Sequence, residues 1–235
     1  MTLQDHTRSI ISLSWSRILG LGDDALLNGS TRLEMSLMEG SEVSFLRLFE
    51  HSILSAPAAV LNELRGLSDT ELAEERCLLE AALRHGEGAR SLGSTQLFYA
   101  EEPPVLDPAE LGAVSFDASH VQSVLAASPA DDVLASGIAE ADWSAALVDE
   151  DTGEASGAAG RAVWPRMLAD LGVLTVPARR RGGRAHQLAA VAAEEAFVDG
   201  LIPQWRAPAD SLSAEKIARR LGFTQAGTQT SVVFS

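Results

Sequence analysis

The chain has 235 residues, 46% of them apolar, enough material for one large buried core or two small ones. Its 33 acidic against 18 basic residues give a formal charge of −15, which opposes nucleic acid and anionic membrane over most of the surface and suits a cationic or amine partner. A single cysteine, Cys77, excludes a disulfide framework and a cysteine-rich metal site; in the helical pattern Glu74-Glu75-Arg76-Cys77-Leu78-Leu79 it reads as a structural thiol. The segment Met1–His6 lacks a basic stretch leading into a long apolar one, and no apolar run is long enough to span a bilayer, so a cytoplasmic protein without membrane contact is expected.

In chain order, residues 32–48 alternate as one or two strands, 69–83 carry leucines at the spacing of an amphipathic helix ended by Gly86, and 95–100 read as a strand. The prolines of Glu101-Glu102-Pro103-Pro104, with Asp107-Pro108 beyond, interrupt regular structure and mark a boundary between region 1–104 and region 105–235. After it come two short helices over 119–127 and 131–139, separated at Pro129. Strands are predicted over 143–148, 154–163 and 167–176, with an acidic turn at 149–153 between the first two. An alanine-rich helix is predicted over 185–199 with Gly200 at its end, a strand over 201–206 that Pro203 leaves unpaired on one side, a helix near 214–221, and a C-terminal strand. That last strand, Thr230-Ser231-Val232-Val233-Phe234, reads as an exposed edge that a homodimer would pair.

Four of the eighteen basic residues fall in Ala178-Arg179-Arg180-Arg181-Gly182-Gly183-Arg184, between the predicted strand ending at Val176 and the alanine-rich helix. Strand, glycine turn and helix in this order make an anion site. The glycines allow close approach of the backbone, and the first helical amides have no internal acceptor and carry the positive end of the helix dipole.

Counted from Pro177, Arg180, Gly183 and Ala185 resemble the Pro-x-x-Arg-x-x-Gly-x-Gly/Ala acyl-CoA loop of the GNAT superfamily of N-acetyltransferases. Downstream, Ala214, Ile217, Ala218, Leu221, Gly222 and Phe223 resemble the last helix of that fold and its Leu-Gly-Phe ending. The resemblance covers about 120 C-terminal residues. It implies an α/β (α+β) fold, a mixed and mostly antiparallel twisted sheet flanked by helices. The N-terminal half is then either a degenerate copy or an extension.

By the same resemblance the amides of Arg181, Gly182, Gly183, Arg184, Ala185 and His186 bind the pyrophosphate of acetyl-CoA, with Arg180 and its neighbours near the 3′-phosphate. The backbone of Val173, Leu174 and Thr175 runs beside the pantetheine arm where the sheet splays, and one amide there stabilises developing negative charge. The implied reaction is direct acetyl transfer in a ternary complex to a small-molecule or peptide amine. The chain departs from the commoner family pattern where Ser211 stands for an asparagine, Ala218 for a tyrosine thiol donor, and Arg206 for a carboxylate. Asp170 is the carboxylate nearest the implied site and the candidate base; His186 and His120 read first as helix residues, and Trp205 as a residue able to face the acceptor. A non-catalytic acyl-CoA-binding protein, and a turn for another anion such as a nucleotide, are the alternatives. Histidines at 6, 51, 85, 120 and 186 have no metal-ligand spacing, so no metal is expected.

Overall fold

The computed structural model describes residues 2–28, 32–38, 40–106 and 112–235. Its elements are α1 (Asp5–Ile18), β1 (Leu33–Leu37), β2 (Glu42–Leu48), β3 (His51–Pro57), α2 (Ala58–Leu64), α3 (Asp69–Leu72), α4 (Glu75–His85), β4 (Arg90–Tyr99) and β5 (Ala113–Ser115). There follow α5 (Ala118–Ala126), α6 (Ala130–Ser136), β6 (Trp143–Val148), β7 (Ala155–Trp164), β8 (Leu168–Thr175), α7 (Arg184–Val198), β9 (Ile202–Pro208), α8 (Leu212–Arg220) and β10 (Thr224–Val233).

The chain packs as two units, and neither is continuous in sequence. The first holds residues 1–22, 99–205 and 213–224; the second holds 23–98, 206–212 and 225–235. The sequence leads one to expect consecutive regions 1–104 and 105–235, but α1 packs with the C-terminal elements and β10 with the N-terminal ones. The prolines at 103 and 104 interrupt the chain without separating two cores, and Asp107-Pro108 lies outside the described residues.

In the first unit the strand order is β9-β8-β7-β6-β5, antiparallel from β5 to β8 and parallel between β8 and β9. Ala146, Ala158 and Leu174 share one face of this sheet, where they pack with Val121 and Val124 of α5 and with Ile138. On the opposite face α7 lies so near β7 that a Cβ added at Gly157 would sit 2.8 Å from Leu188. Gly172 of β8 meets the same constraint from the α6 side, where an added Cβ would lie 1.9 Å from the Ser136 carbonyl oxygen. Buried Arg161 pairs with Asp199 at the end of α7, and its guanidinium lies 5.9 Å from the Trp143 ring centroid. A cation there also complements the negative end of the helix dipole.

Helix α1 presents serines as well as Ile11 and Trp15 to the interior. Ser9 and Ser16 donate to carbonyls four residues earlier, so their hydroxyls are satisfied within the helix. That serine content hides the apolar stripe by which the helix would be read from sequence.

In the second unit the order is β1-β3-β2-β10-β4, with α2 and α4 against the core of Phe45, Leu54, Leu61, Leu72, Leu78 and Val232. The single helix expected over 69–83 is two helices, α3 closed by a Ser68/Glu71 capping box and α4 restarting after extended Glu74. In one continuous helix Leu72 and Leu78 would point about 120° apart. The break lets both be fully buried. Cys77 is half-buried beside this core; burial first, then Glu71, Glu74 and Glu80, push its thiol pKa up, which disfavours the reactive thiolate.

Strand β10 corrects the reading of the C-terminus. Gly227–Val233 pair antiparallel with Leu48–Glu42 of β2, and β4 follows on the other side, so the strand is interior to its sheet. The apolar Val232 reads as an edge only when its partners, some 185 residues earlier, are unknown. The observation that motivated a homodimer is therefore gone. A strand or helix also forms at 51–57, 58–64 and 113–115, where the sequence suggested none.

The tight glycines give the first expected outcome. Gly172→Ala, and Gly227→Ala, whose Cβ would lie 2.1 Å from the Arg47 carbonyl oxygen, should each destabilise by about 1–3 kcal/mol. Gly66→Ala, with no atom within 4 Å, should change stability by less than about 0.5 kcal/mol in urea unfolding.

Candidate functional site

Strand β8 has a complete partner on one side only. It pairs with β7 from Leu168 to Thr175, but with β9 only at Leu168–Ile202, Ala169–Pro203, Asp170–Gln204 and Leu171–Trp205. From Gly172 to Thr175 the edge away from β7 has no strand partner among the described residues. β9, expected from Pro203 to be unpaired on one side over part of its length, does lose β8, but only after Trp205; Pro203 lies in the paired part, in register with Ala169, and its carbonyl accepts the Ala100 amide at 3.2 Å.

The open half of β8 leads through a 3-10 turn at Pro177–Arg179 into the arginine-glycine segment and α7. Arg181 and Gly183 take left-handed φ values of 65° and 78°, and the Gly183 carbonyl accepts the amides of both His186 and Gln187. The amides of Arg181, Gly182, Gly183, Arg184 and Ala185 donate to no acceptor among the described residues. His186 therefore falls outside the row of unclaimed amides in which the sequence placed it, because the first turn of the helix already uses its N–H.

The guanidinium groups of the turn are largely engaged inside the unit. Arg180 donates to Asp132 of α6 at 2.6 Å and to the Thr175 carbonyl at 3.2 Å, Arg179 pairs with Glu154 at 3.2 Å, and Arg184 donates to the Arg179 carbonyl. Arg181 has no ion-pair partner among the described residues. The ion pairs are solvent-exposed, so each contributes less than about 1 kcal/mol and can be exchanged for a stronger anion.

Two buried polar atoms lie at the opening without a hydrogen-bond partner, Thr175 Oγ1 and Trp205 Nε1. Thr175 ends the open half of β8, and Trp205, only 7% exposed, is the last β9 residue in register with it. By strand alternation Val173 and Thr175 share the α7 face with Gly157, whereas Leu174 packs into the core with α5.

Asp170 lies one register pair before the strands part, on the face of Gly172 and Leu174. Gln204 Nε2 donates to Asp170 Oδ1 at 2.9 Å, the Tyr99 hydroxyl donates to Gln204 Oε1 at 2.7 Å, and Trp15 Nε1 donates to that hydroxyl at 2.7 Å. Trp15 also meets Trp164 edge-on, with ring centroids 6.2 Å apart. Sequence reasoning missed Trp15, Tyr99 and Gln204 as members of one network. The available signal was Gln204, a polar residue within the apolar strand segment 201–205.

Ser211 belongs to the second unit, where its amide donates to Pro208. His120, in the first turn of α5, bonds Ser115 through Nδ1 at 2.8 Å. Ala218 is fully buried in α8. Among the described residues no group of three or more His, Cys, Asp or Glu side chains is placed to hold a metal, and no helix is long and apolar enough to cross a membrane.

Two helices, a meander, a glycine turn, a long helix, a parallel strand that diverges, a helix and a final strand follow in the order that the resemblance implies. Over part of the chain the fold is GNAT-like. No family model matches the chain, and neither does any curated protein. Among solved structures, that of a Drosophila protein superposes with a TM-score of 0.51 at 17% identity, over 66% of this chain and 55% of its own. A GNAT-family protein of Novosphingobium aromaticivorans gives 0.47 at 21% identity, over 63% of this chain and 68% of its own. A GNAT-family acetyltransferase of Colwellia psychrerythraea gives 0.47 at 15% identity, over 66% and 60%. At such identities the likeness is one of fold, and this chain spans between 55% and 68% of the length of these three.

If the turn is an anion site held partly shut by its own carboxylates, Asp132→Asn should tighten binding of inorganic pyrophosphate by about two- to fivefold, the equivalent of one exposed ion pair. Competition calorimetry at low and high salt measures it, and the gain should shrink as salt is raised.

Proposed function

We propose that this chain is an acetyl-CoA-dependent N-acetyltransferase acting on a primary amine, either a small molecule or a peptide, in a ternary complex. The observation that carries the reading is the parting of β8 from β9 directly before a glycine turn whose five consecutive amides are unclaimed. The residues present fit the group. Arg181 to Ala185 offer amides to a pyrophosphate at the positive end of α7, and Arg180 and Arg181 offer guanidinium groups to a further phosphate. The open edge of Gly172–Thr175 offers backbone donors and acceptors to an amide-bearing arm, and Thr175 Oγ1 is a buried hydroxyl in need of a partner.

Bound there, acetyl-CoA would supply an activated acyl carbonyl. The chain's own part is to orient that carbonyl with backbone amides, to exclude water between α7 and the sheet, and to take a proton from the acceptor ammonium at the Asp170 carboxylate. The acidic surface favours a cationic acceptor.

One observation favours a second reading, a non-catalytic acyl-CoA-binding protein. Ala218, where the family's tyrosine donor would stand, is sealed in the core and offers no proton. A thiolate is a good enough leaving group for transfer to proceed without that donor.

Calorimetric titration separates these readings from the absence of a site. Acetyl-CoA should bind in the micromolar range and ADP much more weakly, since ADP lacks the arm that the open edge would hold. Gly183→Asp should abolish binding through charge and bulk at the turn; its added side chain enters open space, so the fold loses only about 1 kcal/mol to the left-handed backbone. Equal binding by wild type and Gly183→Asp would overturn the cofactor assignment.

A further inference from the structure

We propose that Tyr99 and Gln204 are positioning residues that fix the carboxylate of Asp170 at the opening between β8 and β9, with Trp15 anchoring the far end. This rests on reading that opening as the acyl-transfer site. All four residues belong to the same packed unit although they come from four elements, α1, β4, β8 and β9.

The direction of the hydrogen bonds carries the argument. An indole N–H can only donate, so the Tyr99 oxygen is the acceptor in the bond from Trp15, and its own proton goes to Gln204 Oε1. With the Gln204 carbonyl thus occupied, its amide nitrogen is the end that turns to Asp170. Every donor therefore points the same way, from α1 through β4 and β9 to β8, and the chain terminates on a group that, when ionised, can only accept. Such a series polarises cooperatively and favours one carboxylate orientation. Trp15 is 2% exposed and Tyr99 and Gln204 are fully buried, so the two bonds that join these three residues are shielded from water.

A base must be aimed as well as ionised, because transfer requires its oxygen within hydrogen-bond reach of the acceptor nitrogen. Asp170 stands on a strand held from both sides at that position, one pair before the partner leaves. In the step assigned to it, an N–H bond of the acceptor ammonium breaks, the proton forms an O–H bond on Asp170, and the electron pair stays on nitrogen to make the neutral nucleophile. Gln204 keeps the carboxylate from rotating, and Tyr99 keeps Gln204 from flipping its amide.

The test uses full-length protein, wild type and the variants Tyr99→Phe, Gln204→Met, Asp170→Asn and Trp15→Phe, with Cys77→Ser as a control away from the site. One readout needs no acyl donor: the Gln204 side-chain NH2 resonances in 15N spectra, assigned by their loss in Gln204→Met. In wild type these protons should exchange slowly and should move when Asp170 is replaced by Asn. In Tyr99→Phe they should exchange faster, because the amide is released. The second readout is thiol release from acetyl-CoA with a panel of primary amines, including a lysine-containing peptide, a diamine and an arylalkylamine. Asp170→Asn should lower kcat by about a hundredfold or more, and Tyr99→Phe and Gln204→Met by about tenfold. Trp15→Phe should lower it less, and KM for acetyl-CoA should stay unchanged in all of them.

Unchanged kcat in Tyr99→Phe, or unchanged Gln204 resonances, would overturn the positioning role. Binding of acetyl-CoA by wild type without transfer to any amine of the panel would count against Asp170 as a base. Failure of wild type to bind acetyl-CoA would remove the proposed function and this role with it, and the resonances would still report whether the hydrogen-bonded chain exists.

Discussion

A strand that keeps one partner to its end and loses the other half-way is the constraint on which the first unit turns. β8 is held by β7 over its whole length, and its faces are covered by α5 and α7, so it stays in place without a second ladder beyond Leu171. β9 cannot follow it further. Residues from Arg206 to Leu212 pack with the second unit, and Ala209 donates to Ser94 there. The consequence is a short stretch of β8 edge without a strand partner among the described residues, where backbone groups are open to a ligand that carries its own amides. Small residues make the arrangement possible: Gly157 admits α7 and Gly172 admits the end of α6, so both layers approach β8 closely enough to hold it from its faces.

The same parting organises the charges. In an acidic chain a basic turn would repel itself and attract any passing anion, but here Asp132 of α6 and Glu154, just before β7, neutralise two of its arginines. These exposed pairs add little stability. The backbone, with Arg181 and Gly183 both left-handed, sets the shape of the turn independently of them. On the proposed reading, a phosphate would meet a preformed cradle of amides and displace weak carboxylate contacts, a cheaper exchange than ordering a loop.

What could be read in advance follows the range of the interactions. β6 was legible to the residue, since a short, mostly apolar run between turn signals needs no distant partner to be recognised. The turn and α7 were legible for the same reason, their glycine, proline and alanine signals being local. β10 was not, because its environment is set by β2 at the far end of the chain. α1 was not, because its buried serines blur the apolar period. At the site, Asp170 could be singled out from position alone. The residues that hold it could not, since Gln204, Tyr99 and Trp15 are brought beside it only by the folded sheet, and a tyrosine 71 residues upstream gives no local sign of its role.

A buried tyrosine, glutamine and tryptophan are a poor choice if the only task at that place is to fill volume. Phenylalanine, methionine and leucine would pack there with no hydrogen bonds to satisfy, and replacing a buried polar set by apolar residues of like shape is often neutral or stabilising. What polar groups add, when each is satisfied, is a single arrangement in place of several similar ones. Here the arrangement has one terminus at a half-buried carboxylate and the other at an indole locked edge-on against Trp164. The fold does not need that carboxylate held still; β8 already has β7 and the packing on both faces. A fixed carboxylate would matter where a proton must move along one line, as in the proposed transfer, and Asp170 stands one register pair before the neighbouring strand withdraws.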